Sequence, residues 1–322
     1  MGVMRLGILS TARINRLLLA GAGRTDRVEV TAVASRERSR AESYAREHGI
    51  ERAYTSYEEL LEDRSLDAVY IPLPNSMHVD WSVRALEAGK HVLCEKPLSR
   101  RPDDVERAFD AADRAGRILA EAFMFRHNPQ TARLVALVED GAVGRLRLVR
   151  AAFSFTIVGE ANIRLAAELD GGALMDVGSY CVSGARLLAG EPEEVFGASV
   201  EERGVDTVFA GTLVFPGELF AQFDCGFRLP LRDELEVVGS DGSIFLDDPW
   251  HCRRPVIEVR REGDVEEIAL QPVDSYRLEL ENLADAIEGR AEPLLGRDDA
   301  LGQARAIDAL YRSAATGQPV TL

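Results

Sequence analysis

A chain of 322 residues exceeds the length over which one hydrophobic core keeps growing, so two domains are expected. Apolar residues at 46% and charged residues at 29% describe a soluble globular protein and exclude disordered and fibrous classes. The formal net charge of -16 argues against nucleic acid as a partner, so any phosphate on a ligand must be met by a local basic cluster.

No apolar run reaches the length of a membrane span, and a strand-like segment begins by residue 5. A cytoplasmic protein with no membrane partner and no signal peptide is therefore expected. Cys94, Cys181, Cys225 and Cys252 lie far apart, which indicates neither a disulfide framework nor a metal site.

From the amino end, Met4–Leu9 reads as a buried strand and residues 12–22 as a helix. The intervening turn is where a dinucleotide-binding fingerprint belongs. The three glycine positions of the usual G-x-G-x-x-G pattern hold Ser10, Ala12 and Asn15. Small residues still allow the backbone close to a pyrophosphate at the helix start, and Ser10 and Thr11 add hydroxyls. An ordinary capped helix is the alternative reading.

The second strand, Val28–Ala34, ends in Ser35-Arg36-Glu37-Arg38-Ser39-Arg40 before a helix at 40–48. An NAD site of this kind usually carries an acid at that strand end to bind the ribose 2'-hydroxyl. A serine with arginine forks suits a 2'-phosphate instead, which favours NADP over NAD.

The alternation continues with a strand at 53–54, a helix at 57–62 and a strand at Ala68–Ile71. Pro72 and Pro74 end that strand, since proline cannot donate to a ladder. Asn75 and Ser76 cap a helix at 77–88 with His78 in its first turn. The strand His91-Val92-Leu93-Cys94 then runs into Glu95-Lys96-Pro97, which puts an ammonium at the carboxyl edge of a sheet, where open α/β folds bind ligands. Lys90 and Lys96 are the only lysines among 38 basic residues. Retaining lysine at position 96 suggests chemistry that a guanidinium cannot do; a surface pair with Glu95 is the plain alternative. A helix at Pro102–Ala115 and a strand at 118–123 complete a predicted doubly wound parallel sheet, the Rossmann pattern, over residues 1–122.

Beyond this point the grammar changes. A helix at Pro129–Glu139 is followed by strands at Leu146–Thr156, 194–200, 207–215, 219–227, 234–238, 243–246, Val256–Arg261 and 265–270. They predict a second domain, 123–322, built on a mainly antiparallel or mixed sheet. A helix at 172–189 interrupts them, and helices at 274–288 and 298–315 close the chain. The interrupting helix carries Gly171-Gly172-Ala173-Leu174-Met175-Asp176-Val177-Gly178-Ser179-Tyr180. Asp176 and Tyr180 are four apart and share one face, costly to bury without partners. The alternative is a polar face turned to solvent.

Together these segments, ILSTARI, SR, YIPLPN, CEKP, EAFMFR, GGALMDVGSYC and FDCGF with LEVVGSDGSIFLDDPW, resemble the glucose-fructose oxidoreductase/inositol dehydrogenase (Gfo/Idh/MocA) family. The likeness runs from about residue 4 to residue 250 and is greatest to its branch of NADP-dependent sugar and dihydrodiol dehydrogenases, D-xylose dehydrogenases included. Many members use a histidine where this chain has Tyr180. Departures are the missing fingerprint glycines and Arg126-His127-Asn128-Pro129-Gln130, in which a histidine is shifted by one place.

The resemblance implies a Rossmann domain, an open-faced sheet often buried in a dimer, and hence a homo-oligomer, dimer or tetramer. It also implies hydride transfer between NADP(H) and a CH-OH or C=O carbon of a sugar or polyol. Tyr180 is then the proton carrier, its pKa drawn down from near 10 by Lys96, with Asp176 holding a hydroxyl or Lys96 and Glu95 positioning the loop. The reverse assignment, with Lys96 carrying the proton, stays open. Cofactor contacts are expected from Ser10, Thr11, Ala12, Arg13, Ile14, Ser35, Arg36, Arg40, Pro72, Leu73, Asn75, His78, Glu95, Lys96 and Arg164, and substrate contacts from the loop 155–170. Two rivals remain: a ketoreductase acting on a nucleotide-linked sugar, and a non-catalytic dinucleotide-binding regulator on the same fold.

Overall fold

The computed structural model describes residues 2–159 and 162–322. It divides into two compact units, Met1–Met124 with Asp274–Leu301, and Phe125–Val273 with Gly302–Leu322.

In the first unit, apolar runs bounded by turn residues form the strands β1 (Met4–Leu9), β2 (Val28–Ala34), β3 (Arg52–Tyr54), β4 (Ala68–Ile71), β5 (His91–Glu95) and β6 (Leu119–Ala122). They pair in parallel in the order β3-β2-β1-β4-β5-β6. Leu6, Ile8, Val33 and Tyr70 are buried between layers of helices, as strands covered on both faces require. Connecting helices are α1 (Asn15–Ala22), α2 (Arg38–His48), α3 (Tyr57–Leu61), α4 (His78–Glu87) and α5 (Pro102–Ala115). Strand order reverses between β1 and β4, the switch point at which such sheets bind ligands beyond their carboxyl ends.

One boundary differs from the sequence reading. The segment 274–301, expected in the second domain, belongs to the first unit. Its apolar stripe, Leu280, Leu283 and Ala284, joins the core of β1 and β2. Gly21 admits the backbone of Arg277 against α1, and Arg27 pairs with Asp285 at 2.8 Å. An amphipathic pattern shows that a helix has a buried face but not which core receives it.

The second unit holds α6 (Pro129–Glu139) and β7 (Leu146–Thr156), then α7 (Ser179–Ala189), preceded by a π-turn at Leu174–Gly178. The strands β8 (Glu194–Glu202), β9 (Val205–Phe215), β10 (Leu219–Gly226), β11 (Arg228–Gly239), β12 (Ser243–Asp247), β13 (Val256–Arg261) and β14 (Asp264–Ala269) follow. Then come α8 (Ser275–Ile287) of the first unit, α9 (Arg297–Thr316) and the two-residue β15 (Val320–Thr321). The sheet order is β14-β13-β12-β11-β7-β10-β9-β8-β15. Every pairing is antiparallel except β7 with β10, so the sheet is mixed. Burial alternates along β9 and β10, the mark of a sheet with one covered face, and α7 packs against β7 and β10. Among the described residues no helix is long and apolar enough to cross a membrane.

Candidate active site

At the carboxyl edge of the first unit, the β1–α1 turn is longer than expected, because the helix starts at Asn15 and not at residue 12. Ser10, in the first glycine position, has φ 136°, a conformation that glycine adopts without strain and serine must be held in. Three bonds hold it. Ser10 Oγ donates to Pro72 O and accepts from Ala12 N, both at 3.2 Å, and Asn15 Nδ2 donates to Ser10 O at 2.8 Å. Side chains thus fasten the turn to the exit of β4. Thr11, Ala12 and Ile14 are half-buried and Arg13 is exposed.

Beyond β2, Ser35 is buried and accepts from Glu37 N at 3.4 Å. Arg38 pairs with Glu42. Arg36 and Arg40 are exposed and, among the described residues, neither has a carboxylate partner. Two cationic forks beside a strand end that lacks an acid fit an anionic group on a dinucleotide ribose.

Pro72 and Leu73 are buried at the end of β4, and Asn75 opens a 3-10 turn. His78, expected to touch cofactor, does not present its ring for that. It is 1% exposed, and its nitrogens lie 2.9 Å from Pro97 O (Nδ1) and 2.8 Å from Leu73 O (Nε2). The ring ties the β4 exit to the Glu95–Pro97 loop, and burial pushes its pKa down.

In that loop, Lys96 is 9% exposed. Glu95 accepts from Tyr70 Oη at 2.5 Å through Oε1 and from Lys96 N at 3.3 Å through Oε2. Buried Glu121 accepts from Leu98 N at 2.7 Å. Glu95 thus bonds the main chain of the lysine. Tyr70 and the deeply buried Glu279, whose carboxyl both burial and the charge of Glu95 push upward, were missed from sequence because each reads as one more position in a strand or helix pattern.

In the second unit, the segment expected as one helix from residue 172 starts at Ala173 and widens into the π-turn before α7. Such turns recur at functional sites. Gly172 has φ 131°, and a Cβ there would collide with Asp206 Oδ1. Asp206 Oδ2 accepts from Leu174 N at 2.7 Å, a contact across 32 residues that no local motif announces.

Tyr180, 9% exposed, lies among Phe153, Phe125 and Trp250, with ring centroids 5.3, 5.8 and 6.1 Å away. Trp250 is fixed by Nε1 donating to Ala152 O at 3.0 Å. Asp176 accepts from Arg164 Nε at 2.5 Å. Arg164, expected on the cofactor, thus has its guanidinium on the second unit's own carboxylate. The loop 155–170 includes residues 160 and 161, outside the described residues; its later part forms 3-10 turns at Ile163–Leu165 and Ala167–Leu169.

Asp233, Asp248 and His251 bring metal-type donors together, but Arg253 donates to Asp248 at 2.8 Å and His251 Nδ1 lies 2.6 Å from Asp233, so both carboxylates already have protein partners.

The second unit supplies a phenol in an aromatic cage on α7 with a carboxylate on the π-turn before it, a pair that suits proton exchange. The first unit supplies a buried ammonium after β5 and two exposed arginines after β2, which suit a dinucleotide. Comparisons with known proteins agree. A family model described as an oxidoreductase family with an NAD-binding Rossmann fold, GFO/IDH/MocA, matches residues 4–123, and the GFO/IDH/MocA C-terminal domain matches 131–245. The chain is 40% identical to D-xylose 1-dehydrogenase (NADP(+)) 2 of Haloferax volcanii, over 99% of this chain and 100% of that protein. The crystal structure of an aldose-aldose oxidoreductase from Caulobacter crescentus, complexed with glycerol, has a TM-score of 0.92 at 29% identity, covering 100% of both chains. That of a 3-ketoreductase from Actinomadura kijaniata, in complex with NADP and TDP-benzene, has a TM-score of 0.92 at 32% identity, covering 97% of this chain and 98% of that one. With both family models matched in order and a 40% identical relative along nearly its whole length, this chain belongs to the GFO/IDH/MocA family of oxidoreductases.

Proposed function

We propose that the protein is an NADP-dependent dehydrogenase acting on a CH-OH group of a free sugar or related polyol, of the D-xylose or glucose type. The observation that carries this reading is the full-length likeness to a D-xylose 1-dehydrogenase (NADP(+)). Arg36 after β2 and Arg40 in the first turn of α2, both exposed and without acidic partners among the described residues, support NADP over NAD. The first unit is assigned to cofactor and the second to substrate.

When bound, NADP supplies the acceptor for the hydride. Tyr180 takes the proton of the substrate hydroxyl at its phenolic oxygen, as general base in oxidation and general acid in reduction. Lys96 holds the reacting oxygen through its ammonium, and Glu95, anchored by Tyr70, fixes the lysine main chain. Asp176, oriented by Arg164, accepts from a neighbouring sugar hydroxyl. The rings of Phe153, Phe125 and Trp250 pack against the Tyr180 ring and fix its position.

A second reading, a reductase for a nucleotide-linked keto sugar, draws support from the likeness to the 3-ketoreductase complexed with TDP-benzene. Incubation with NADP+ or NAD+ and a panel of aldoses, polyols and diols, and with NADPH and keto sugars free or nucleotide-linked, separates the two. Tyr180→Phe should lower turnover at least about a hundredfold. Near-normal turnover would remove the tyrosine from the proposed role.

We also infer a cytoplasmic homo-oligomer, a dimer or tetramer. Support comes from exposed Phe196 and Phe220 on β8 and β10. Light scattering that gives a monomer mass would refute the oligomer.

A further inference from the structure

The segment that carries Asp176 and Tyr180 begins without a cap of its own: neither Ala173 at its start nor Gly178 before α7 accepts through a side chain. The first amides of a helix need acceptors, and an anion there also complements the helix dipole. The acceptor comes from β9. Asp206 is 3% exposed; Oδ2 takes Leu174 N at 2.7 Å and Oδ1 takes Tyr311 Oη, from α9, at 2.8 Å. The Ala173 amide also bonds it. Among the described residues no cation pairs with this carboxylate. A buried charge is thus held by main-chain N–H groups and one hydroxyl, which is favourable only while those donors point at it. The glycine pair before the helix fits the same purpose. Gly172 leaves room for Oδ1, and a Cβ on Gly171 would press on Arg164 O, in the loop whose arginine orients Asp176.

We propose that Asp206 is a positioning residue for the reaction: as a carboxylate it fixes the start of the helix that presents Asp176 and Tyr180, and on protonation it releases that helix start. The proposal rests on the catalytic reading of Tyr180 given above. Burial pushes the Asp206 carboxyl up to about 6, against the downward pull of Leu174 N and Tyr311 Oη. Protonation removes the negative charge at which the Ala173 and Leu174 amides point and puts a hydrogen on an accepting oxygen, which weakens the hold on the helix start. The titratable groups facing it are Tyr311 from α9 and Cys225 from β10, whose thiol burial and then neighbouring charges, that of Asp206 among them, push up.

The test compares the wild type with Asp206→Asn, Asp206→Ala and Tyr311→Phe from about pH 5 to about pH 8.5. Wild-type turnover should fall through a transition near pH 6, the value to which the carboxyl is raised. Asp206→Asn should lack that transition and stay at the acid-side turnover of the wild type, because its amide, like the protonated acid, carries hydrogen where a carboxylate oxygen accepted and does not titrate. Asp206→Ala should lose at least about tenfold in turnover near pH 8, with the KM for NADP unchanged, as loss of a helix cap warrants. Wild-type turnover in Asp206→Ala, or the same acid transition in Asp206→Asn, would overturn the proposal. Where Asp206→Ala fails to fold, Asp206→Asn and Tyr311→Phe decide by the same criteria.

Hydrogen exchange of residues 173–182 gives a readout that needs no substrate. It should be at least about tenfold faster in Asp206→Ala, and in the wild type below the transition. Unchanged exchange refutes the positioning role. A wild type inert to every sugar but showing pH-dependent exchange would instead refute the catalytic reading alone.

Discussion

Replacing Glu279 with glutamine should stabilise the protein by an amount that grows with pH. The side chain is 2% exposed, and its Oε1 has no hydrogen-bond partner among the described residues. Burial first, and the charge of Glu95 second, push its carboxyl well above the ordinary 4.5. Below that ordinary value the group is protonated in both folded and unfolded chains and costs nothing. As pH rises above 4.5 the unfolded chain ionises while the folded one keeps its proton, so the unfolded state gains. The penalty grows by about 1.4 kcal/mol per pH unit until the folded group also ionises. Glutamine, nearly the same shape and never ionised, removes this slope. Urea unfolding of wild type and Glu279→Gln should therefore give similar midpoints near the ordinary carboxyl pKa. The gap should widen as pH rises above that value, by about 1.4 kcal/mol for each pH unit over which the folded group keeps its proton. A gap that stays constant across that range would refute the reasoning, because Glu279 would then ionise as readily folded as unfolded.

Arg36→Ala and Arg40→Ala should each raise the KM for NADP at least about tenfold and leave that for NAD unchanged, the loss of a charge-assisted bond to a 2'-phosphate. An equal effect on both cofactors in steady-state kinetics would contradict that assignment. Trp250→Phe removes the 3.0 Å bond to Ala152 O, at a cost of about 0.5–1.5 kcal/mol in unfolding free energy. Wild-type stability in that variant would show that this bond adds nothing to the fold.

Much of the fold was legible because apolar runs are punctuated by Pro and Gly. The β1, β2, β4, α5, α6, β7 and β13 segments fall where sequence patterning predicts them. The carboxyl-edge position of Lys96 followed from the same patterning, whereas Asp176 lies on the π-turn and Tyr180 on α7, where one regular helix was expected. Contacts set by tertiary register were not legible. His78 reads as a first-turn histidine, and nothing local reveals that two carbonyls face its ring. Arg164 reads as a loop cation, yet it meets Asp176. Glu279 occupies a polar-looking place in an amphipathic helix and is nevertheless enclosed, because α8 packs into the first unit. Asp206 opens a strand like many acids do; only the pairing of β9 brings it beneath Leu174.

Hydride transfer itself can be followed most directly with the best-oxidised sugar of the panel, deuterated at the carbon that loses hydrogen, and NADP+. The deuterium should appear at C4 of the nicotinamide, observed by NMR or mass spectrometry, in wild type and far more slowly in Tyr180→Phe. Reduced cofactor without the label, or none formed with any sugar, polyol or keto sugar in either direction, would contradict the proposed chemistry.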